Sequence, residues 1–149
     1  MKKLRTAAAV LAVLLTALVL LCSCGEEHEY ELFFCNKTGV VVDSVYFSSS
    51  ENDTWGNPVN LAAVSVDATI HFDFDSMNVD GNGPGVYDIG AVDANALNYD
   101  VFEVTLAVGD TITIYPASDE GEFQLTVTHA DGTSDSYTGY AYFEEEGAA

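Results

Sequence analysis

Phe123-Gln124-Leu125-Thr126-Val127-Thr128, followed by His129-Ala130-Asp131-Gly132, decides the fold class. Phe123, Leu125 and Val127 alternate with polar residues, and a period of two is that of a β-strand with one face buried. Asp131-Gly132 supplies the backbone freedom of a tight hairpin turn. The segment Ser136–Phe143 is then the expected partner strand.

The same pattern extends toward the N-terminus. Gly109-Asp110 marks a tight turn before Thr111–Tyr115, where Ile112 and Ile114 point inward. In Tyr99–Leu106, the residues Phe102, Val104 and Leu106 are expected to share one face. Val86–Val92 reads as a strand that follows the glycine-rich loop 80–85. Ile70, Phe72 and Phe74 oppose His71, Asp73 and Asp75, the alternation of a half-buried strand. Leu61–Val66 is a short apolar run. Tyr30, Leu32 and Phe34 alternate before the turn Asn36-Lys37-Thr38-Gly39, and Val40–Phe47 reads as the hairpin partner. No segment after Cys24 carries a helical stripe. The expectation is an all-β domain: a single antiparallel β-sandwich of about seven or eight strands, Ig-like or C2-like.

The N-terminus is of a different kind. Met1–Arg5 holds three of the four basic residues, and an apolar run from Ala7 to Leu21 is broken only by Thr16. A basic start, an apolar stretch of about fifteen residues and small residues at its exit form a cleavable secretory signal rather than a spanning helix of about twenty. Leu21-Cys22-Ser23-Cys24 resembles the bacterial lipobox, with leucine three residues before the modified cysteine and a small residue just before it. By that resemblance Cys24 takes the lipid and becomes the first mature residue. The expected organisation is a signal peptide over 1–23, an acidic tether over 24–29, the β-domain over 30–143 and an acidic tail over 144–149. The expected location is outside the cytoplasmic membrane, held there by covalent lipid.

After Cys24 the chain carries all 24 acidic residues and only one basic residue, Lys37, a net charge of −23 with histidine neutral. Such a surface repels phosphate backbones, so nucleic acid is excluded as a partner. Cys35 is the single thiol left once Cys24 is acylated, which rules out an intrachain disulfide. Its apolar surroundings give it the reading of a small buried hydrophobe.

The segment from Phe34 to about Ile114 also resembles a small secreted bacterial β-domain family of uncharacterised function. The residues that carry the likeness are Asn36-x-Thr38-Gly39, Val45-Tyr46-Phe47, Trp55-Gly56-Asn57, Ile70-x-Phe72, Tyr87-Asp88-Ile89 and Gly109-Asp110-Thr111-Ile112. The likeness implies a β-sandwich and brings no activity.

Candidate chemistry is sparse. Asp75, Asn78 and Asp80, beside Gly81 and Gly83, offer hard oxygen ligands of the kind Ca²⁺ takes. An EF-hand is excluded, because its first ligand position falls on Ser76 and its bidentate glutamate position on Tyr87. A loose calcium loop and a plain acidic turn both remain open. Trp55, the single tryptophan, lies in a polar loop. It either caps the core or stands exposed to stack on a ligand, with Tyr46, Tyr87 and Tyr99 as possible companions. His28, His71 and His129 are not spaced as metal ligands, and no nucleophile turn or phosphate loop occurs. The expectation is a non-catalytic module that binds a protein or glycan at the cell envelope. The alternative is a structural or accessory envelope lipoprotein, Ca²⁺-stabilised or not, without a specific ligand.

Overall fold

The computed structural model describes residues 29–51, 54–77 and 83–144. The proposed signal peptide, Cys24, most of the tether and most of the acidic tail lie outside them. The described residues form eight strands: β1 (Leu32–Asn36), β2 (Val42–Ser49), β3 (Thr69–Phe72), β4 (Gly85–Asp93), β5 (Leu97–Leu106), β6 (Asp110–Ile114), β7 (Glu122–Thr128) and β8 (Ser134–Phe143). They make one sheet in the order β2-β4-β5-β8-β7-β6-β1-β3. The domain is therefore all-β, as expected. Its sheet is single, curled and mixed, because β1 and β6 run parallel.

The curl begins between β5 and β8. Only Leu97–Asp100 pairs with Tyr140–Phe143; the rest of β5 bonds to β4 and the rest of β8 to β7. The two strands diverge, so the halves of the sheet fold toward each other over a shared core. The curl brings the two ends of the sheet together, with the rings of Phe47 on β2 and Phe72 on β3 at 5.3 Å. The core contains Leu32, Phe34, Phe47, Phe74, Phe123 and Leu125, all 2% exposed or less.

The Asp131-Gly132 hairpin forms as read, with Phe123 opposite Gly139. The β1–β2 hairpin does not: β1 pairs with β3 and β6, and β2 pairs with β4. The turn at 36–39 is instead an arch that carries the chain from one end of the sheet to the other. Asn36 explains why. Fully buried, it donates through Nδ2 to the carbonyls of Val40 at 2.8 Å and Val64 at 2.9 Å. Its Oδ1 accepts from the Thr38 amide and hydroxyl. These bonds take the groups a hairpin would pair and tie the arch to the segment before β3. An inward Asn36 also turns Cys35 outward, where it is half-buried, not the core residue expected.

Three further expectations change. The strand at 70–75 ends at Phe72, and Phe74–Met77 forms a 3-10 turn. Glu31 and Asp73 cause this reciprocally, since Asp73 Oδ1 accepts from the Glu31 amide and Glu31 Oε2 from the Phe74 amide. Leu61–Val66 makes only a single bridge, Val42 to Val64. Here Asn60 replaces a strand, accepting from the Val45 amide and donating to the Asp43 carbonyl, which covers the outer edge of β2. Phe102 faces outward at 55% exposed, while Val104 and Leu106 are buried. A bulge inverts it: the register shifts between Tyr87 and Ile89, Glu103 sits at φ 58°, and its amide donates to Asp88 Oδ1.

An Asp-His-Asp chain links the β6 end to the β7–β8 hairpin. His129 Nδ1 lies 2.8 Å from Asp110 Oδ1 and Nε2 lies 3.0 Å from Asp135 Oδ2. Asp110 is buried and also accepts from the Ala107 amide. The hydrogen bonds to Asp135 and then Asp110 raise the His129 pKa above its ordinary 6.5. The folded state thus holds its proton more tightly than the unfolded chain. That contribution is complete below about pH 6.5 and is lost as pH rises through the folded pKa. We expect the wild-type Tm to fall relative to His129→Gln as pH is raised above about 6.5. Parallel melting curves over that range would show that the pair does not couple to folding.

Candidate functional site

Four strands and one loop build a cleft on the outer face of the sheet. Cross-strand register aligns Tyr46 on β2 with Gly90 on β4, Gly90 with Asp100 on β5, and Asp100 with Tyr140 on β8. The next row outward aligns Ser44, Val92, Asn98 and Tyr142 in the same way. Gly90 is therefore a gap in an otherwise continuous layer of side chains.

Trp55 fills that gap. A Cβ at position 90 would stand 3.2 Å from Cη2 and 3.3 Å from Cζ3 of the indole, so the missing side chain is the seat of the ring. The loop backbone anchors Trp55 in place, with Gly56 N donating to the Phe47 carbonyl and Ser48 Oγ to the Thr54 carbonyl. The indole nevertheless remains 42% exposed. It lies outside the core and does not cap it.

The cleft encloses about 180 Å³ and is lined by Tyr46, Trp55, Asn98, Asp100, Tyr142 and Glu144, over a floor of Gly90, Ala91 and Val92. Tyr142 donates from its hydroxyl to Asp100 Oδ2 at 2.7 Å. The other oxygen, Oδ1, lies 3.4 Å from the place of the absent Gly90 Cβ, beside the indole. Burial raises the Asp100 pKa above its ordinary value, against the opposing pull of the Tyr142 hydrogen bond. The same hydrogen bond, with burial second, pushes the Tyr142 phenol up to about 12. Asn98 Nδ2 reaches the Tyr142 carbonyl at 3.4 Å. The result is three aromatic side chains around oxygen acceptors, two of which are carboxyl groups.

Of the residues proposed from sequence, Trp55 and Tyr46 meet here. Tyr87 and Tyr99 do not, being 2% and 3% exposed in the core. Tyr99 instead donates to buried Asp93, and burial with that carboxylate pushes its phenol up to about 12. Tyr142 takes the expected third place. The alternation of Tyr140 and Tyr142 about Ala141 marks them as facing outward, but nothing local in the sequence places them beside Asn98 and Asp100.

The calcium candidates are divided. Asp75 is exposed in the 3-10 turn, while Asn78 and Asp80 lie outside the described residues. Among the described residues no group of three metal-ligating side chains converges. His71 borders a second, shallower groove of about 630 Å³ between residues 58–63 and β3. Its ring packs against Tyr30 with centroids at 3.8 Å, an aromatic contact rather than an acid–base pair.

No protein-family model matches the chain, and no curated protein matches it. Among solved structures it is similar to one described as the NMR structure of the protein from Eubacterium rectale. The two are 12% identical, with 73% of this chain and 98% of that one covered, at a TM-score of 0.43.

Proposed function

We propose that this chain is an extracytoplasmic lipoprotein, anchored through Cys24, whose β-domain is a non-catalytic binding module using the Trp55 cleft. The observation that carries the binding reading is a half-exposed tryptophan seated on a glycine and facing a partly buried carboxyl group. An indole that served only stability would bury more of its ring, since aromatic rings gain most when fully removed from water. The position on an outer sheet face leaves the cleft open to solvent and separate from the core. The curled sheet, with its two halves folded face to face, supports reading the domain as sandwich-like. The apolar run and Leu21-Cys22-Ser23-Cys24 support the anchor.

Trp55 is the single tryptophan, so its emission reports this cleft alone. Envelope-type small molecules (saccharides, amines, carboxylates and phosphate) are titrated against the full-length protein at millimolar concentrations. A saturable change with any of them supports the module. If none alters the emission, and Trp55→Ala leaves retention on isolated envelopes unchanged, the module reading fails and a ligand-free accessory protein takes its place. The anchor has its own test. Labelled palmitate is expected to enter the wild-type protein but not Cys24→Ser, which is expected in the soluble fraction. Labelled Cys24→Ser would refute Cys24 as the attachment site.

A further inference from the structure

We propose that the Trp55 cleft takes an alkylated ammonium group, held between the aromatic rings of Tyr46, Trp55 and Tyr142 and the carboxylate of Asp100. This assignment rests on the binding reading above and names its ligand class.

The lining argues for a cation over a neutral sugar. A saccharide presents hydroxyls that both donate and accept, so its sites combine acceptors with side-chain donors. Two of the lining donors are already engaged, the Tyr142 hydroxyl with Asp100 and the Asn98 amide with the Tyr142 carbonyl, which leaves the Tyr46 hydroxyl and the Trp55 indole N–H. Beside those two, both carried on aromatic rings, the cleft presents the carboxyl oxygens of Asp100 and Glu144 and no cationic donor. Aromatic faces carry negative potential, and a cation over them is attracted electrostatically. An alkylated ammonium also matches the chemistry, because its methyl groups pack on rings while its charge meets a carboxylate.

The surroundings reinforce this. Lys37, the one Lys or Arg after Cys24, is paired with Asp67 at 2.8 Å. No lysine or arginine lines the cleft to compete for its acids. The acidic surface raises the local concentration of cations. A small metal ion fits less well, since Ca²⁺ requires about six to eight hard oxygens and three of the lining side chains are aromatic. The volume of about 180 Å³ suits one compact headgroup rather than an extended chain.

The test uses the lipidated full-length protein in a polyoxyethylene detergent, which contains neither sugar nor ammonium. Choline chloride is titrated against Trp55 emission beside its neutral isostere, 3,3-dimethylbutan-1-ol, with sodium chloride as the ionic-strength control. Choline is expected to saturate in the millimolar range, about ten-fold tighter than the isostere, the discrimination a partly exposed cation–π site provides. Asp100→Asn is expected to erase that preference while the emission of the free protein stays close to wild type. Should Asp100→Asn fold poorly, Glu144→Gln at the exposed rim is expected to weaken choline two- to three-fold, on the order of a surface ion pair.

Equal affinity for choline and the isostere would overturn the proposal, as would a change reproduced by sodium chloride. A response to N-acetylglucosamine without one to choline would also overturn it, yet leave the binding module standing. Phosphocholine separates a free amine from a lipid headgroup. Binding as tight as choline points to a headgroup source, and much weaker binding to a free amine repelling no phosphate; both retain the ammonium site.

Discussion

Gly139→Ala is expected to lower stability by about 3 kcal/mol, at the upper end of overpacking costs, and Tm by about 12 °C. Gly139 lies on β8 where that strand passes between β7 and β5. A Cβ there would overlap Cε1 and Cζ of Phe123 and stand 2.6 Å from the Asp100 carbonyl oxygen. Neither neighbour can yield easily. The Phe123 ring is 2% exposed and packs edge-on against Tyr99 at 5.2 Å. The Asp100 carbonyl belongs to the short stretch where β5 and β8 remain paired, which is the hinge of the curl. Shortening Phe123 to leucine in the same chain should recover part of the loss, because it relieves the ring contact but not the carbonyl contact. Thermal melts of both single variants and the double variant measure this. Unchanged stability in Gly139→Ala would mean that β8 can move away from β5, and the account of the curl would be wrong.

Asn36→Leu is expected to cost about 4 kcal/mol, since it removes four hydrogen bonds worth roughly 1 kcal/mol each and leaves the buried Thr38 amide without a partner. The Val40 and Val64 carbonyls lose Nδ2, and the Thr38 amide loses Oδ1. Leucine has the same branched shape and number of heavy atoms with bulkier methyl groups, so no cavity opens and the lost bonds dominate. Asn36→Asp separates the two halves of the network. It retains an acceptor for Thr38 but places a carboxylate oxygen against two carbonyls. Burial and that repulsion raise its folded pKa, so stability is worst at neutral pH and recovers as pH falls. Urea melts at pH 7 and pH 4.5 would reveal the recovery. An Asn36→Asp protein with the same stability at both would show that the side-chain amide is not what pins the arch.

Period-two alternation made the strands legible, because a strand with one buried face must alternate whatever its partner. Leu32 and Phe34, Ile112 and Ile114, and Phe123 to Val127 all follow this rule. Where it failed, a side chain had captured backbone groups across the sequence. Asp88 took the Glu103 amide, inverting Phe102; Glu31 and Asp73 ended β3 early. Asn36 converted an apparent hairpin turn into an arch. Each of these bonds joins residues whose proximity is a result of folding, so the sequence offers the side chain without its partner.

The cleft divides in the same way. Trp55 and Tyr46 could be named from sequence because an isolated tryptophan in a polar loop is unusual chemistry. Asp100 and Tyr142 could not, since 42 residues separate them and only the β5–β8 pairing makes them neighbours. The sequence by itself determined the all-β class, the acidic surface and the strand faces, because composition and alternation act locally along the chain. Only the tertiary structure decided strand order, the parallel β1–β6 pair and the seating of Trp55 on Gly90. Those depend on which edges meet when the sheet curls, and backbone hydrogen bonds are alike at every strand edge until packing selects among them.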